Sequence, residues 1–459
     1  MNLVHLVARH LHLNPFAPEA SDCPRCGMAS PRNEIRTLLR WGASLSQPEK
    51  EVMAVGCYIC PSCPEGKRWF RLEPAGFEGD YRYTTSTRQM VLSLVIDHKM
   101  SFTGATNLAK SLLHLPDLAD TTVLRWYREA GGKVDYRGHL ERMASVFSGQ
   151  LALDEVYDGG QYVLKATDPL NNLELSCWTG CGCPSSDDVA EALRELCRAG
   201  ITPSVVVTDG STIYPKAIAE VWPDAEHQLC VFHFMMGTIK KLHKAFWTAY
   251  NAMPAPKKRP RGRPKKRGRP RQDKRKRRNR SEVKRAHYLI FKRDGLDAGG
   301  DPRFTEEEQR VLDEALRLCP ALVPLRRIMK HLFELFGPTT TTHQLAELRR
   351  QVILKDAEFA DHDGMSSVLK NLRDDNLFAK LTRYLSFENA DKTSNHVERE
   401  NRDFRKRQRS HYRLRSIESL CAFLDLMLVR RDPPEVPRRL RRREPPALGN
   451  PSEEEVLAA

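Results

Sequence analysis

Two short apolar runs that end in aspartate limit what this chain can fold into. The first is LALDEVY, residues 151–157, centred on Asp154; the second is SVVVTDG, residues 204–210, which delivers Asp209. A run of this kind reads as a buried strand with a carboxylate at its tip. QYVLKATD (161–168) and LELSCWTG (173–180) read as two further strands, the first entered through the Gly159-Gly160 turn. The three opening strands should form an antiparallel meander. SDDVAEALRELCRAG (186–200) is an amphipathic helix, with Ser186 expected as its cap and Gly200 as its stop. STIYPKAIAEVW (211–222) is a helix interrupted early by Pro215, and AEHQLCVFHFMMGTIKKLHKAF starts as a strand and turns into a helix. The order is three strands, helix, strand, helix, strand, which is an α/β pattern. Alternation along the first strand turns Glu155 to the face opposite Asp154.

A third acid lies far downstream. TSNHVERENRDFRKRQR opens a basic helix in which Glu398 is the acidic candidate, with Glu400 two residues on. Two strand-end aspartates and one helical glutamate suit a pair of hard divalent ions, Mg²⁺ or Mn²⁺, which prefer carboxylate oxygen. Two such ions about 3.5–4 Å apart can clamp both oxygens of a phosphoryl displacement. Arg402, Arg405 and Arg409 follow Glu398 at i+4, i+7 and i+11, so one helix face would hold a ligand and a track for phosphates.

The strand order is that of the RNase H-like fold, in which the first and fourth strands pair and bring the two aspartates together. The ordered set of VTDG, HQLCVFH and TSNHVE resembles the DDE-type transposases, in particular the insertion-sequence and Mutator-like group. That group carries a C-x2-H pair after the last strand, here Cys230 and His233. Its final acid sits in a Thr-Asn-Asn-x-x-Glu-like motif, here Thr393-Ser394-Asn395-His396-Val397-Glu398, with Ser in place of the first Asn. The resemblance covers residues 149–245 and 370–430, with a large insertion between them. It implies an RNase H-like five-stranded mixed sheet interrupted by an all-helical insertion. It also implies catalytic and metal-ligating roles for Asp154, Asp209 and Glu398, and double-stranded DNA, both element ends and target, as partner. Homo-oligomers follow by analogy, because two ends must be joined. Two alternatives keep the same fold: a DNA-binding regulator without chemistry, and a structure-specific nuclease.

Charge is concentrated in one place. Residues 256–285 hold 18 of the 74 basic residues and only two acids, Asp273 and Glu282; the rest of the chain carries 56 basic and 57 acidic residues. The run PAPKKRPRGRPKKRGRPRQDKRKRRNR (254–280) is charged, lacks large apolar side chains and should not fold alone. It holds Arg261-Gly262-Arg263-Pro264 and Arg267-Gly268-Arg269-Pro270, which resemble two AT-hooks. Glycine permits close approach to a minor-groove floor, and Arg261, Arg263, Arg267 and Arg269 would lie along a narrow A·T groove.

The N-terminal third supplies further contacts. Cys23-Pro-Arg-Cys26 is one C-x2-C pair, and Cys57-Tyr-Ile-Cys60-Pro-Ser-Cys63 offers a second in two registers. Four thiolates suit structural Zn²⁺. Cys60 and Cys63 are the expected second pair, with Cys57 left as a spare or as the fourth ligand in place of Cys63. Residues 88–100, 101–113 and 119–132 read as three helices, with Ser101 capping the second and Asp120 or Thr121 the third. They resemble a helix-turn-helix, in which Thr121, Thr122 and Arg125 would meet DNA while Val123, Leu124 and Trp126 face the core.

The expected organisation is a zinc ribbon (1–80), a helix-turn-helix (81–148) and the first part of the catalytic core (149–245). An insertion follows (246–372), with its basic arm at 256–285 and helices at 304–372. The final catalytic helices (373–431) and a disordered tail (432–459) complete it. No apolar run reaches the 18 residues expected of a membrane span. The opening MNLVHLVARHLHLNPF makes a poor secretory signal. A cytoplasmic, nucleoid-associated protein is the expectation.

Overall fold

The structure is a computed structural model. It describes residues 16–79, 81–115, 117–158, 160–255, 274–295, 302–360, 362–410, 414, 416–429 and 433–443. The chain divides into two compact units, 1–136 with 402–430, and 137–401 with 431–459.

The first unit opens with an antiparallel four-stranded sheet in the order β1-β2-β3-β4: β1 Ala20–Asp22, β2 Ala29–Gly42, β3 Glu49–Ile59 and β4 Trp69–Arg71. Tyr58 and Phe70 stack at 5.3 Å in its small core. Three helices follow: α1 Thr85–Ile96, α2 Phe102–Leu112 and α3 Asp120–Gly131. Thr84 caps α1, which starts three residues earlier than the apolar spacing predicts, and Ser101 caps α2 as expected. The cap of α3 is Ala119, not Asp120 or Thr121, and it makes no side-chain bond. Asp120 instead accepts from the Thr103 hydroxyl at 2.5 Å. Val91, Val95, Ala105, Ala109, Val123, Trp126 and Tyr127 fill the space between the helices. The helix Ile417–Leu428 also packs on α3, so closely that a Cβ on Gly131 would sit 2.5 Å from the Ala422 Cα. Residues 402–430, expected among the final catalytic helices, thus cluster with the N-terminal unit.

The second unit begins at Arg137, within α4 (Tyr136–Val146), and continues with a five-stranded mixed sheet: β5 Gln150–Asp158, β6 Gln161–Asp168, β7 Leu173–Cys181, β8 Val205–Thr208 and β9 Glu226–Leu229. The order is β7-β6-β5-β8-β9. The first three strands form the expected antiparallel meander, and β8 runs parallel to both β5 and β9. Helices α5 (Ser186–Arg198), α6 (Ile213–Val221) and α7 (Val231–Ala252) connect and follow the last strands. Ser185, not Ser186, caps α5, because Asp188 stands three residues after it and closes a reciprocal capping box. Ser186 donates instead to the Ile213 carbonyl at 2.9 Å.

Beyond α7 the chain is helical, including Lys274–Arg285, Glu306–Leu318, Val323–Leu335, His343–Lys355, Ser366–Arg373 and Asp375–Thr382. Leu242 and Phe246 of α7 join Leu312, Leu325, Ile328 and Leu372 in one core. The end of the basic arm, Lys274–Arg285, is helical and packs on this core, not alone. Val283 is buried, and Arg280 donates to the Met253 carbonyl at 2.7 Å while its guanidinium lies over Tyr250. The expected tail is ordered over residues 433–443. Leu440 donates to the Ser148 carbonyl, Arg443 to that of Ser386, and Arg442 pairs with Glu226. Helix α8 is Asn395–Ser410; the boundary between the two units falls within it, after Asn401.

Candidate functional site

The site grows from the ends of two neighbouring strands. Asp154 lies on β5 two residues after Ala152, which packs with Val205, Val207, Cys230, Phe387 and Val397. Residues two apart share a sheet face, so Asp154 faces α8, the helix that carries Val397. There its Oδ2 accepts from Asn401 Nδ2 at 2.7 Å. Glu155 takes the opposite face and accepts from the Tyr214 hydroxyl of α6. Asp209 follows β8 directly, and its Oδ1 accepts from the Ser211 amide at 2.8 Å, which fixes the turn.

Burial, the Glu155 charge and the Asp209 charge push the Asp154 carboxyl up to about 7, against the pull of His233 and Asn401. Burial also raises Glu155. Crowded carboxylates in a desolvated strand end are costly in the charged form, and a cation offsets that cost.

Glu398 enters from α8. Its Oε1 lies 3.3 Å from His233 Nε2. The two atoms are within ion-pair distance but are not aligned for a hydrogen bond, so Oε1 stays buried without a donor. His233 is raised to about 9: the Cys230 thiol beside it is the main cause, burial opposes it, and the charges of Cys230, Glu398 and Asp154 add to it. One imidazolium therefore responds to both Glu398 and Asp154. Glu400 has other company, acting on the buried Lys165, which is paired with Glu174.

The start of α8 is held by bonds from the sheet. Gln150 on β5 donates to the Asp391 carbonyl at 2.6 Å and accepts from the Asp391 amide at 2.9 Å. Ser394 donates to the Cys230 sulfur from its hydroxyl at 3.1 Å and from its amide at 3.3 Å. Burial would raise the Cys230 thiol; the Ser394 bonds and the neighbouring His233 outweigh it. Cys230 and His233 thus join the β9–α7 junction to the TSNHVE segment.

The sequence singled out Asp154, Asp209 and Glu398, and it noted Cys230 and His233 without giving them work. It missed Asn401 and Tyr214. The place of Asn401, three residues after Glu398 on one helix, was the sole hint of it.

A second cluster sits in the first unit. Cys23 and Cys26 flank the turn after β1, and Cys60 and Cys63 flank the turn after β3. Their sulfurs are 3.8 Å apart for Cys23–Cys63, 3.5 Å for Cys26–Cys60 and 3.7 Å for Cys26–Cys63. Four sulfurs about 2.3 Å from one tetrahedral Zn²⁺ would be about 3.8 Å apart, so the cluster could hold zinc. Among the described residues this is the group of three or more His, Cys, Asp or Glu whose ligand atoms all lie within 4.8 Å of one another; the three carboxylates are not so tightly drawn. Cys57 is fully buried outside the group, and burial raises its thiol.

The expected DNA-contacting residues are placed as follows. Thr121 and Arg125 are exposed on α3 and Thr122 is half-buried, while Val123 and Trp126 are buried and Leu124 is half-buried. Arg402, Arg405 and Arg409 are exposed on α8. Arg261, Arg263, Arg267 and Arg269 lie outside the described residues.

Residues 187–237 match the MULE transposase domain family. The chain is similar to Mutator-like transposases. The Mutator-like segment holds most of α5, then β8, Asp209, α6, β9, Cys230 and His233; Asp154 and Glu398 lie on either side of it. Among curated proteins, none matches the chain significantly. Among solved structures, one similar chain is from the Drosophila P element transposase strand transfer complex. It is 12% identical, with 74% of this chain and 91% of that chain covered and a TM-score of 0.39. No helix among the described residues is long and apolar enough to cross a membrane.

Proposed function

We propose that the chain is a DDE transposase whose catalytic domain is RNase H-like, cutting and joining double-stranded DNA at the ends of a mobile element. One observation carries this reading. The segment that matches a transposase domain contributes Asp209 and His233, Glu398 lies 3.3 Å from that same His233, and Asp154 stands on the strand paired with the one that precedes Asp209. The sheet order, with β5 and β8 adjacent and parallel, supports the RNase H-like assignment.

The donor set fits divalent ions. Asp154, Asp209 and Glu398 offer hard oxygens, and Glu398 keeps a buried oxygen with no hydrogen-bond donor. Two Mg²⁺ or Mn²⁺ ions bound there would supply Lewis-acid activation of the attacking oxygen and stabilisation of the leaving one. The protein does the rest through position. Gln150 and Cys230 hold the segment that leads into α8, and His233 sets the reach of Glu398. Asn401 turns the Asp154 carboxylate. No tyrosine or serine nucleophile is required.

In this reading the four cysteines Cys23, Cys26, Cys60 and Cys63 carry structural zinc in a ribbon. Helices α1–α3 form a helix-turn-helix that presents Thr121, Thr122 and Arg125, and the basic arm adds AT-hook contacts from Arg261, Arg263, Arg267 and Arg269. Arg402, Arg405 and Arg409 track phosphates, and the protein acts as a homo-oligomer on nucleoid DNA in the cytoplasm. The test is cleavage of labelled element-end DNA with Mg²⁺ by the wild type and by Asp154→Ala. Cutting and strand transfer by the wild type alone are expected; equal cutting by both proteins refutes the proposal.

A further inference from the structure

Asn401 is only 5% exposed, three residues beyond Glu398 on α8. Side chains three apart on a helix are neighbours on its surface. The Asn401 Nδ2 donates to Asp154 Oδ2 at 2.7 Å across 247 positions of sequence. Its Oδ1 is buried with no hydrogen-bond partner among the described residues, and so is Glu398 Oε1. Asn401 Oδ1 is therefore a bare acceptor next to the Asp154 carboxylate, while Glu398 Oε1 has only the His233 ring, 3.3 Å away and out of line, beside it. A bare buried acceptor is unfavourable, and an electropositive group at this place would offset that. The amide cannot usefully turn over, because that would set its oxygen against the Asp154 oxygen, acceptor against acceptor.

We infer that Asn401 is a positioning residue for the divalent-cation centre: its N–H fixes the Asp154 carboxylate in one orientation for the cation to meet, and its own oxygen adds to the field that holds the cation. The inference rests on the reading of Asp154 as a cation ligand. A residue that only fills space would be replaced by leucine without effect on the cation. A group that orients a ligand behaves differently: partners of this kind set metal affinity, and their loss costs about 10–100-fold.

The experiment is Mn²⁺ titration calorimetry on the full chain, with the wild type, Asp154→Ala, Asn401→Leu and Asn401→Ala, beside thermal melts without added Mn²⁺. The expected result is no Mn²⁺ binding at this centre in Asp154→Ala. Both Asn401 variants should bind about 10–100-fold more weakly while melting close to the wild type. If both bind as tightly as the wild type while Asp154→Ala does not bind, Asn401 has no such role and the transposase reading stands. If Asp154→Ala binds like the wild type, the cation centre itself is wrong and this inference falls with it. If both Asn401 variants melt early, the residue holds the fold rather than tuning the cation, and the inference is overturned.

Discussion

Replacing Asp154 with asparagine should make the metal-free protein more stable at alkaline pH. The wild-type carboxyl is pushed from 3.8 up to about 7, first by burial and then by its acidic neighbours. Because the folded value lies above the unfolded one, the associated stability is fully present below the unfolded value and is lost as pH rises through about 7. About three pH units correspond to at most about 4 kcal/mol at 1.36 kcal/mol each. Residual solvent access at this partly buried side chain lowers the expectation to about 1–3 kcal/mol. The substituted amide would keep an oxygen for the Asn401 N–H and remove the charge. With chelator present, Asp154→Asn should therefore melt above the wild type at about pH 8, and the gap should close towards about pH 4. Added Mn²⁺ should raise the wild-type melt and leave the variant unmoved, since a ligand stabilises the state that binds it. Thermal melts by circular dichroism across that range read out both effects. A variant that melts at or below the wild type at about pH 8 would refute the argument that the site stores charge for a cation.

Other outcomes follow from features outside that carboxylate. Cys63→Ser should lose bound zinc and destabilise the N-terminal sheet, whereas Cys57→Ser should keep its zinc; elemental analysis of the purified proteins decides it. Lys165→Met should destabilise by about 3–5 kcal/mol by leaving Glu174 buried and unpaired. A Lys165→Met/Glu174→Leu double variant should recover most of that, and chemical denaturation measures both. Deleting 256–285 should weaken DNA binding and flatten its dependence on salt, as read by anisotropy titrations at several ionic strengths; an unchanged slope means the arm does not touch phosphates.

The strand order and the two aspartates were legible because an apolar run closing on a carboxylate is a local signal. The cysteine knuckles were legible for the same reason, although choosing Cys63 over Cys57 needed the sulfur positions. Helix caps were missed by one residue where the decision lay in reciprocity. Ser185 wins over Ser186 because only Ser185 has an acid three places on. The ordering of Lys274–Arg285 was hidden because its composition is that of a solvated chain. A single buried valine and two bonds from Arg280 and Arg285 to other segments hold it. Residues 433–443 are ordered through backbone pairing, which composition does not report. The role of Asn401 shows only in a contact spanning 247 positions, beyond any spacing rule.

The helical insertion lies between the second strand-end aspartate and the glutamate of α8, and this imposes an order in time. A ribosome releases Asp154 and Asp209 early, then spends about 10–40 s on the intervening stretch at ordinary elongation rates. Throughout that interval the nascent polypeptide owns two of its three candidate ligands and lacks the imidazole's glutamate partner. A product abandoned midway, by premature termination or proteolysis, would carry the sheet and nothing able to complete it. In the proposed transposase such a half-made copy would lack its third cation ligand and could not cut DNA.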